Sequence, residues 1–128
     1  MSKRKYDHAF VVDRETWIRG GHDKHSMLCR GDDGKQCCLG FFLRSCGVSK
    51  TAISDRSTPS DVGKMPKKAA FLLEDSQSGD SVAAYSMMEV NDDNAADAAI
   101  EEKLKKLFAE NKVRITFKGK RRPTNKEM

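Results

Sequence analysis

The chain has no long hydrophobic segment and begins without the features of an export signal. Its apolar runs at 39–43 and 69–73 are five residues long, whereas a membrane-spanning helix needs about 20. The basic residues at 3–5 are followed by a tyrosine, an aspartate and a histidine, not by the apolar core of a secretory signal. These absences predict a soluble protein that stays in the cytoplasm where it is made.

The sequence also lacks the motifs that are typical of common reaction centres. It contains no Gly-rich phosphate loop, no helix-turn-helix signature, no RNA-binding sheet motif and no Cys-x-x-Cys pair. A turn, a helix start and a solvated helix face account for the acidic pairs at 32–33, 92–93 and 101–102 without acid–base or metal chemistry. The sequence therefore predicts a non-enzymatic protein with no catalytic residue, metal or cofactor.

The four cysteines all lie between positions 29 and 46, and two of them are adjacent. We expect reduced thiols that act as small buried hydrophobes, because adjacent cysteines form a disulfide only under strain. Two alternatives stay open: zinc held by thiolates with His22 and His25, and a nucleophilic thiol at Cys37 or Cys38 near a helix N-terminus. A metal among the sulfurs, or an imidazole against one of them in a cleft, would contradict the packing interpretation.

The net charge of +5 is unevenly distributed. Residues 1–5 carry +3 and residues 112–128 carry +6, whereas the segment between them carries −4. Basic ends of this kind neutralise phosphates or contact an acidic protein surface. No aromatic residue lies among the basic residues of the tail, so a platform for stacking on bases is missing. The candidate partner-binding residues are Arg114, Lys118, Lys120, Arg121 and Arg122.

Local patterns in the first thirty residues predict short elements. The β-branched and aromatic segment at 10–12 is expected to form a short strand. A helix is expected to begin at Asp13, which is a good N-cap, and to stop at the glycines at 20–21. A further strand is expected at 26–30.

The segment that contains the cysteines predicts a turn and a buried helix. An Asp-Gly turn signal lies at 31–34, and dense apolar residues at 36–45 favour a buried helix. Gly47 stands where a glycine commonly ends a helix. Gly40 would let another element approach this helix closely.

The middle of the chain is more polar. Residues 48–65 are rich in Ser, Thr, Asp, Gly and Pro and have no sustained period, which predicts a long loop that is either a recognition surface or unstructured. Helices are expected at 66–74, begun by Pro66, and at 81–90, where alanine and methionine favour a helix over a strand.

The clearest element is an amphipathic helix that follows Asn94, its expected cap. Four apolar residues recur at helical spacing and form one stripe: Ile100, Leu104, Leu107 and Phe108. Glu101 and Glu102 are expected on the opposite, solvated face, each paired with the lysine four residues further on. Asn111 is expected to end the helix in a left-handed conformation.

The alternation of Val113, Ile115 and Phe117 with polar residues predicts a strand with one buried face. We expect residues 27–30 to be its partner strand, with 10–12 as a further candidate. This segment, 113–117, is thus expected to contribute a strand to a small sheet.

Together these elements predict a single α+β domain at 6–118, with three to five helices packed on a two- or three-stranded sheet. A chain of 128 residues can bury a core of that size without disulfides or a metal. The basic ends, 1–5 and 119–128, are expected to be flexible because they are too polar to pack.

A series of residues recurs in one order along the chain: Trp17, Gly20, Asp33-Gly34-Lys35-Gln36-Cys37-Cys38-Leu39-Gly40, Cys46-Gly47-Val48 and Met88-Glu89-Val90-Asn91-Asp92. This order covers most of residues 13–110 and resembles a family of small, mostly uncharacterised tailed-bacteriophage proteins. The family has a tryptophan-to-glycine opening and a Gly-x-x-Cys-Cys-Leu-Gly-like core. The chain departs from it at 41–44, where the family has a hydrophobic-then-acidic pattern, and in its basic C-terminal extension. The resemblance implies a phage accessory protein in a bacterial cytoplasm and supplies no activity.

The resulting expectation is a non-enzymatic phage accessory protein that binds a host or phage macromolecule and counters a host defence. A protein is the leading partner, and no membrane partner is expected. Two alternatives remain open: a nucleic-acid-binding protein that uses the basic ends, and a small module stabilised by zinc. The sequence leaves the oligomeric state open.

Overall fold

The computed structural model describes residues 6–19, 28–31, 34–62, 65–73, 79–93 and 95–121. In this part of the chain the strands are β1 (His8–Asp13) and β2 (Val113–Lys118), and the α-helices are α1 (Cys38–Ser45), α2 (Lys50–Ile53), α3 (Val82–Asn91) and α4 (Asp97–Ala109). Two short 3-10 helices are formed by Pro59–Asp61 and Lys67–Leu72. The predicted α+β class is confirmed. None of the described helices is long and apolar enough to cross a lipid bilayer.

β1 and β2 form a parallel sheet of two strands, although they lie far apart in the sequence. The register runs from the His8–Val113 pair to the Asp13–Lys118 pair. One face of the sheet is buried and carries Phe10, Val12, Val113 and Ile115. A parallel pair needs a long crossover between its strands, and here the crossover contains every described helix.

The strand expected at 26–30 is not formed by its described residues. Cys29 makes only an isolated bridge to Ser54, so the prediction that β2 pairs with 27–30 is wrong. The partner of β2 is the strand predicted at 10–12. Sequence proximity does not select between these candidates, because both require a long-range contact.

The helix predicted to begin at Asp13 is also wrong. The aspartate acts as a cap, but for a single turn, in which its carboxylate accepts a hydrogen bond from the Glu15 N–H (3.0 Å). Residues 17–19 are then buried one after another, which extended backbone allows and one face of a helix does not. The Ile18 N–H donates to the Gln36 carbonyl (2.7 Å), so a tertiary contact replaces the local helix.

α1 confirms the buried helix predicted in the cysteine segment. Phe42 is fully buried, and its ring lies 5.4–5.6 Å from the rings of Phe10, Phe71 and Phe108. Gly47 has a φ of +99° and ends the helix as expected. α1 is therefore the central element of the core.

The turn and the close approach predicted next to α1 are both confirmed. The chain reverses between Arg30 and Lys35, where the Arg30 N–H donates to the Lys35 carbonyl and the Gly34 N–H donates to the Arg30 carbonyl, both at 2.8 Å. At Gly40 the backbone of Leu28 packs into the space that a side chain would occupy. The segment before the turn is therefore held directly against α1.

The long loop predicted at 48–65 contains structure. α2 begins after Ser49, whose hydroxyl accepts a hydrogen bond from the Ala52 N–H (3.1 Å), and the helix Pro59–Asp61 follows. The helix predicted at 66–74 is the 3-10 helix Lys67–Leu72, which Pro66 precedes instead of joining. α3 confirms the helix predicted at 81–90.

α4 lies over the sheet with its apolar stripe buried. It ends in a turn in which Lys112, with a φ of +62°, takes the left-handed conformation that the sequence assigned to Asn111. α1 packs on β1 and α4 on β2, and α3 packs on both helices. The order of layers is therefore the sheet, then α1 and α4, then α3.

Candidate functional site

The predicted partner-binding residues of β2 lie on the outer face of the sheet. Arg114 and Lys118 are exposed and alternate with side chains that enter the core. They are four positions apart along the strand, so their Cα atoms are about 13 Å apart. Lys120 is exposed just beyond the strand, and Arg122 lies outside the described residues.

β1 adds apolar side chains to the same face. Ala9 is in register with Arg114, and Val11 is in register with Thr116. Ala9 is exposed, and 51% of Val11 is exposed in the middle of its strand. We name this surface the basic sheet face: Ala9, Val11, Arg114, Thr116 and Lys118, with Lys120 at its end.

Two carboxylates lie beside the end of the basic sheet face, those of Asp13 and Glu15, and both are next to Gly119. Asp13 is in register with Lys118, and its Oδ2 atom lies 4.0 Å from the Lys118 Nζ atom. The lysine side chain is 67% exposed, so water screens this pair and it contributes little to stability. The three cations of the face outnumber these two anions, so the face keeps a net positive charge that can attract an acidic partner.

Arg121 has a different role from the other predicted residues, because it is bound within the protein. Its Nη2 atom lies 3.0 Å from Glu101 Oε1, and the same carboxylate receives two hydrogen bonds of 2.8 Å from Arg14. Arg14 also donates to the carbonyl of Gly119 (2.6 Å). Residues 119–121 are thus fastened to the domain, unlike the free tail that the sequence predicts from 119 onwards.

Glu101 is the residue for which the sequence interpretation is wrong. Its side chain is 1% exposed, whereas the sequence places it on the solvated face with Lys105. Burial by itself favours the neutral acid, but hydrogen bonds and attraction from Arg14 and Arg121 outweigh it and lower the pKa of Glu101. Glu101 is therefore a buried carboxylate that joins the turn after β1 to the end of β2.

Two further buried polar contacts hold the layers together and were not predicted. Arg19 forms two hydrogen bonds with the Asp97 carboxylate, at 2.8 and 2.9 Å. The Asn91 side-chain oxygen accepts hydrogen bonds from Trp17 Nε1 (2.8 Å) and from the Cys38 backbone N–H (3.1 Å). These contacts tie the segment after β1 to α1, α3 and α4. The buried polar side chains that make them therefore have a structural role.

The packing interpretation of the cysteines is confirmed for Cys29, Cys37 and Cys38, which belong to the buried core. Burial raises the pKa of Cys37 to about 12 and raises the pKa of Cys38 well above its ordinary value. The start of α1 therefore does not produce a reactive thiolate, because the loss of water outweighs the favourable backbone contacts.

Cys46 differs from the other three thiols, since it is only half-buried. It lines an open groove of about 380 Å³ together with Gly47, Val48, Ser49, Ala52, Met65 and Pro66. The His8 Nε2 atom lies 3.8 Å from its sulfur. The packing interpretation therefore does not hold for Cys46, because an imidazole against a sulfur that lines a groove is the arrangement that contradicts it. Whether this pair could be reactive depends on where its protons lie.

The hydrogen bonds around His8 favour the tautomer in which Nε2 carries the proton, and in that tautomer Nε2 cannot act as a base toward Cys46. The Ser45 hydroxyl donates its single proton to the Phe42 carbonyl (2.5 Å). The contact between Ser45 Oγ and His8 Nε2 (2.8 Å) therefore requires that the imidazole nitrogen donates. Burial raises the pKa of the Cys46 thiol and lowers the pKa of His8, so both groups favour their neutral forms.

Thiol titration of the folded protein checks this assignment. We expect the aromatic disulfide of Ellman's reagent to modify one thiol, Cys46, before the other three. Its rate should be below that of a small thiol at pH 7.5 and should rise with pH, because its pKa is raised. Cys46→Ser should remove this phase, while unfolding in urea should expose the remaining thiols. A fast phase that persists in Cys46→Ser, or a rate that is already maximal at pH 7, would contradict the assignment.

The zinc hypothesis finds no ligand group in the described part of the chain. There, no three His, Cys, Asp or Glu side chains are grouped so as to hold a metal ion, and His22 and His25 lie outside it.

The basic sheet face combines charge with exposed apolar area and is the stronger candidate surface for binding. Comparisons with protein-family models, with curated proteins and with solved structures find no match for this chain.

Proposed function

We propose that this protein is a non-enzymatic binding protein whose basic sheet face contacts an acidic surface of another protein. The exposure of Val11 beside the β2 cations carries this proposal. Interfaces between proteins combine apolar contact area with arginine more often than the remaining surface does. A phosphate backbone would use the cations but would gain little from Val11 and Ala9.

The layered fold supports the choice of this face. The inner face of the sheet packs on α1 and α4, so the outer face adds nothing to that core. Arg114 and Lys118 project from the same side of one strand, where regular backbone holds them at a fixed spacing. A rigid row of charges favours rapid, oriented association with a surface of opposite sign.

The biological setting is proposed from the resemblance in sequence. We place the protein among tailed-phage accessory proteins that act in the cytoplasm of the bacterial host. There it binds a host or phage protein and counters a host defence. Nucleic acid is the alternative partner, supported by the regular spacing of Arg114, Thr116 and Lys118 along one strand face.

A pair of charge-matched variants tests the proposed face. One variant combines Arg114→Glu, Lys118→Glu and Lys120→Glu. The control replaces three exposed lysines elsewhere, Lys67, Lys103 and Lys106, by glutamate, so that both variants have the same net charge. Each is used to capture partners from nuclease-treated extracts of infected and uninfected bacteria, and a captured partner is then purified for affinity measurements.

We expect the variant of the basic sheet face to lose about tenfold or more in affinity for its protein partner, and the control to lose far less. If the two variants lose affinity equally, net charge and not this face determines binding. A parallel capture from untreated extracts tests the alternative. If the wild-type protein captures its partner from untreated but not from nuclease-treated extracts, and if the logarithm of its affinity for duplex DNA falls with the logarithm of salt concentration by about one slope unit per phosphate contacted, the nucleic-acid alternative replaces the proposal.

A further inference from the structure

α3 carries a second exposed surface that the core does not use. Its buried side consists of Ala84, Met87 and Asn91. On the opposite side Val82 is 81% exposed and Tyr85 is 59% exposed. The same stripe continues at helical spacing with the exposed Glu89, and the exposed Asp93 follows just beyond the end of the helix. We name these four residues, Val82, Tyr85, Glu89 and Asp93, the α3 stripe.

The α3 stripe and the basic sheet face have opposite charge. Two carboxylates lie on the stripe, those of Glu89 and Asp93, and α3 itself contains no basic residue. Three cations lie on the basic sheet face, and the carboxylates of Asp13 and Glu15 lie beside its end. Each surface also exposes apolar side chains. In the described part of the chain, the large hydrophobic residues that are exposed are Val11, Val82 and Tyr85.

The two surfaces lie on opposite sides of the molecule. α3 packs on α1 and α4, which themselves pack on the inner face of the sheet. The α3 stripe therefore faces away from the sheet, and the basic sheet face is directed away from α3. One copy cannot bring its own two surfaces together, whereas two copies can.

We propose that the α3 stripe of one copy docks on the basic sheet face of a second copy. Val82 and Tyr85 cover Val11 and Ala9, while the carboxylates meet the cations of β2 and Lys120. One contact thus covers the three large hydrophobic residues that are exposed in the described part of the chain, and it brings the two surfaces of opposite charge together. Tyrosine suits such a position because its ring buries apolar area at a small cost in conformational entropy.

The docking is heterologous, so it leaves an unused surface at each end of a pair. Further copies add head to tail, and the opposite placement of the two surfaces favours an open row of molecules over a closed dimer. The surfaces are small, and we expect a dissociation constant of about 10–100 μM in low salt, as in weak interfaces at the lower end of the size range. Salt should weaken the contact because it depends on exposed charges.

Analytical ultracentrifugation over a concentration series tests the docking. The wild-type protein is expected to associate progressively in about 50 mM salt and to be mainly monomeric in about 500 mM salt, where exposed charges are screened. Two variants reverse one surface each: Glu89→Lys with Asp93→Lys, and Arg114→Glu with Lys118→Glu. Each alone has two surfaces of the same sign, so its self-association should weaken about tenfold or more.

Mixing the two charge-reversed variants is the decisive experiment. In the mixture every reversed surface finds a complementary one on the other variant, so association should return to near the wild-type level. Both variants are expected to fold, because all four positions are exposed. Circular dichroism is used to check this. A wild-type protein that stays monomeric at millimolar concentration in low salt overturns the proposal, as does a mixture that fails to associate.

The proposed function uses the same basic sheet face, and a variant of α3 separates the two ideas. Val82→Ser with Tyr85→Ser should weaken self-association and leave capture of the protein partner unchanged. If self-association survives this change, the docking is wrong even when partner capture is intact. If self-association follows the expected pattern but no variant affects partner capture, the proposed function fails and the docking stands.

Discussion

Replacing Gly40 by alanine is expected to destabilise the protein by about 3 kcal/mol or more, the upper range for overpacking a core. A Cβ atom at this position would fall on the carbonyl oxygen of Leu28 and lie 2.8 Å from its carbonyl carbon. That backbone is held in place, because the Leu28 N–H donates to the Arg56 carbonyl (2.8 Å) and the Cys29 carbonyl accepts from the Asp55 N–H (2.7 Å). The added methyl group therefore has to displace either α1 or the segment before the turn.

The sign of the change in stability distinguishes packing from helix propensity, because propensity alone predicts that alanine stabilises the helix. Alanine in a helix interior is ordinarily more stable than glycine by about 1 kcal/mol. Gly47→Ala is a suitable control, since its Cβ would meet no neighbouring atom within 4 Å and only the left-handed backbone opposes it, at about 1–2 kcal/mol. Urea unfolding of both variants measures the difference. If Gly40→Ala is as stable as the wild-type protein, Leu28 does not pack on α1 in this way.

Gly40 also shows which parts of the fold the sequence predicts well. α1 and α4 each bury one side of a regular helix, and β2 buries alternate residues, so their apolar spacing is visible in the sequence. α3 was predicted from its alanine and methionine content instead. The glycine inside an otherwise apolar helix indicates a close contact without naming the partner. Patterns of this kind are local. Each of these elements contacts the core along its length, so its apolar residues follow the period of the helix or strand.

The pairing of β1 with β2 is not local, and the sequence did not select it. The two strands are separated by almost the whole domain in the sequence. No turn signal joins them, so nothing local in the sequence indicates that they pair. The segment at 17–19 fails for the same reason. Its helical signals are real, but contacts to Gln36 and Asn91 hold the backbone extended, and tertiary contacts commonly override such weak preferences.

The candidate site divides along similar lines. Arg114 and Lys118 were identifiable because strand alternation places them opposite buried residues. Arg121 looks equivalent in the sequence, yet it binds a carboxylate on α4, and charge alone does not reveal that. One signal was present: Glu101 lies three and seven residues before Leu104 and Phe108, which places it at the edge of the buried stripe of α4.

Glu101→Ala is expected to lower the free energy of unfolding by about 3 kcal/mol, the lower end of the range for removing one partner of a buried ion pair. The lower end applies because Arg14 is 13% exposed and Arg121 is 50% exposed, so both can partly recover water. Two guanidinium groups would then face each other without the carboxylate between them. The adjacent Glu102→Ala is the matched control, since Glu102 is exposed and its loss should change stability by no more than about 0.5 kcal/mol.

The difference between wild type and Glu101→Ala should also depend on pH. The pKa of Glu101 is lowered in the folded protein because its hydrogen bonds with the two arginines outweigh the cost of burial. The folded state therefore binds a proton less readily than the unfolded state, whose glutamate titrates near its ordinary pKa of 4.5. The stabilisation is complete above that value and is lost as the pH falls through the lower pKa of the folded state.

Urea unfolding at several pH values tests this linkage. The stability difference between wild type and Glu101→Ala should be constant between about pH 6 and pH 8 and should shrink below about pH 4. Glu102→Ala should show no comparable change with pH. A difference that stays the same down to pH 3, or an equal effect of the two alanine substitutions, would mean that Glu101 is not the buried anion joining the turn after β1 to the end of β2.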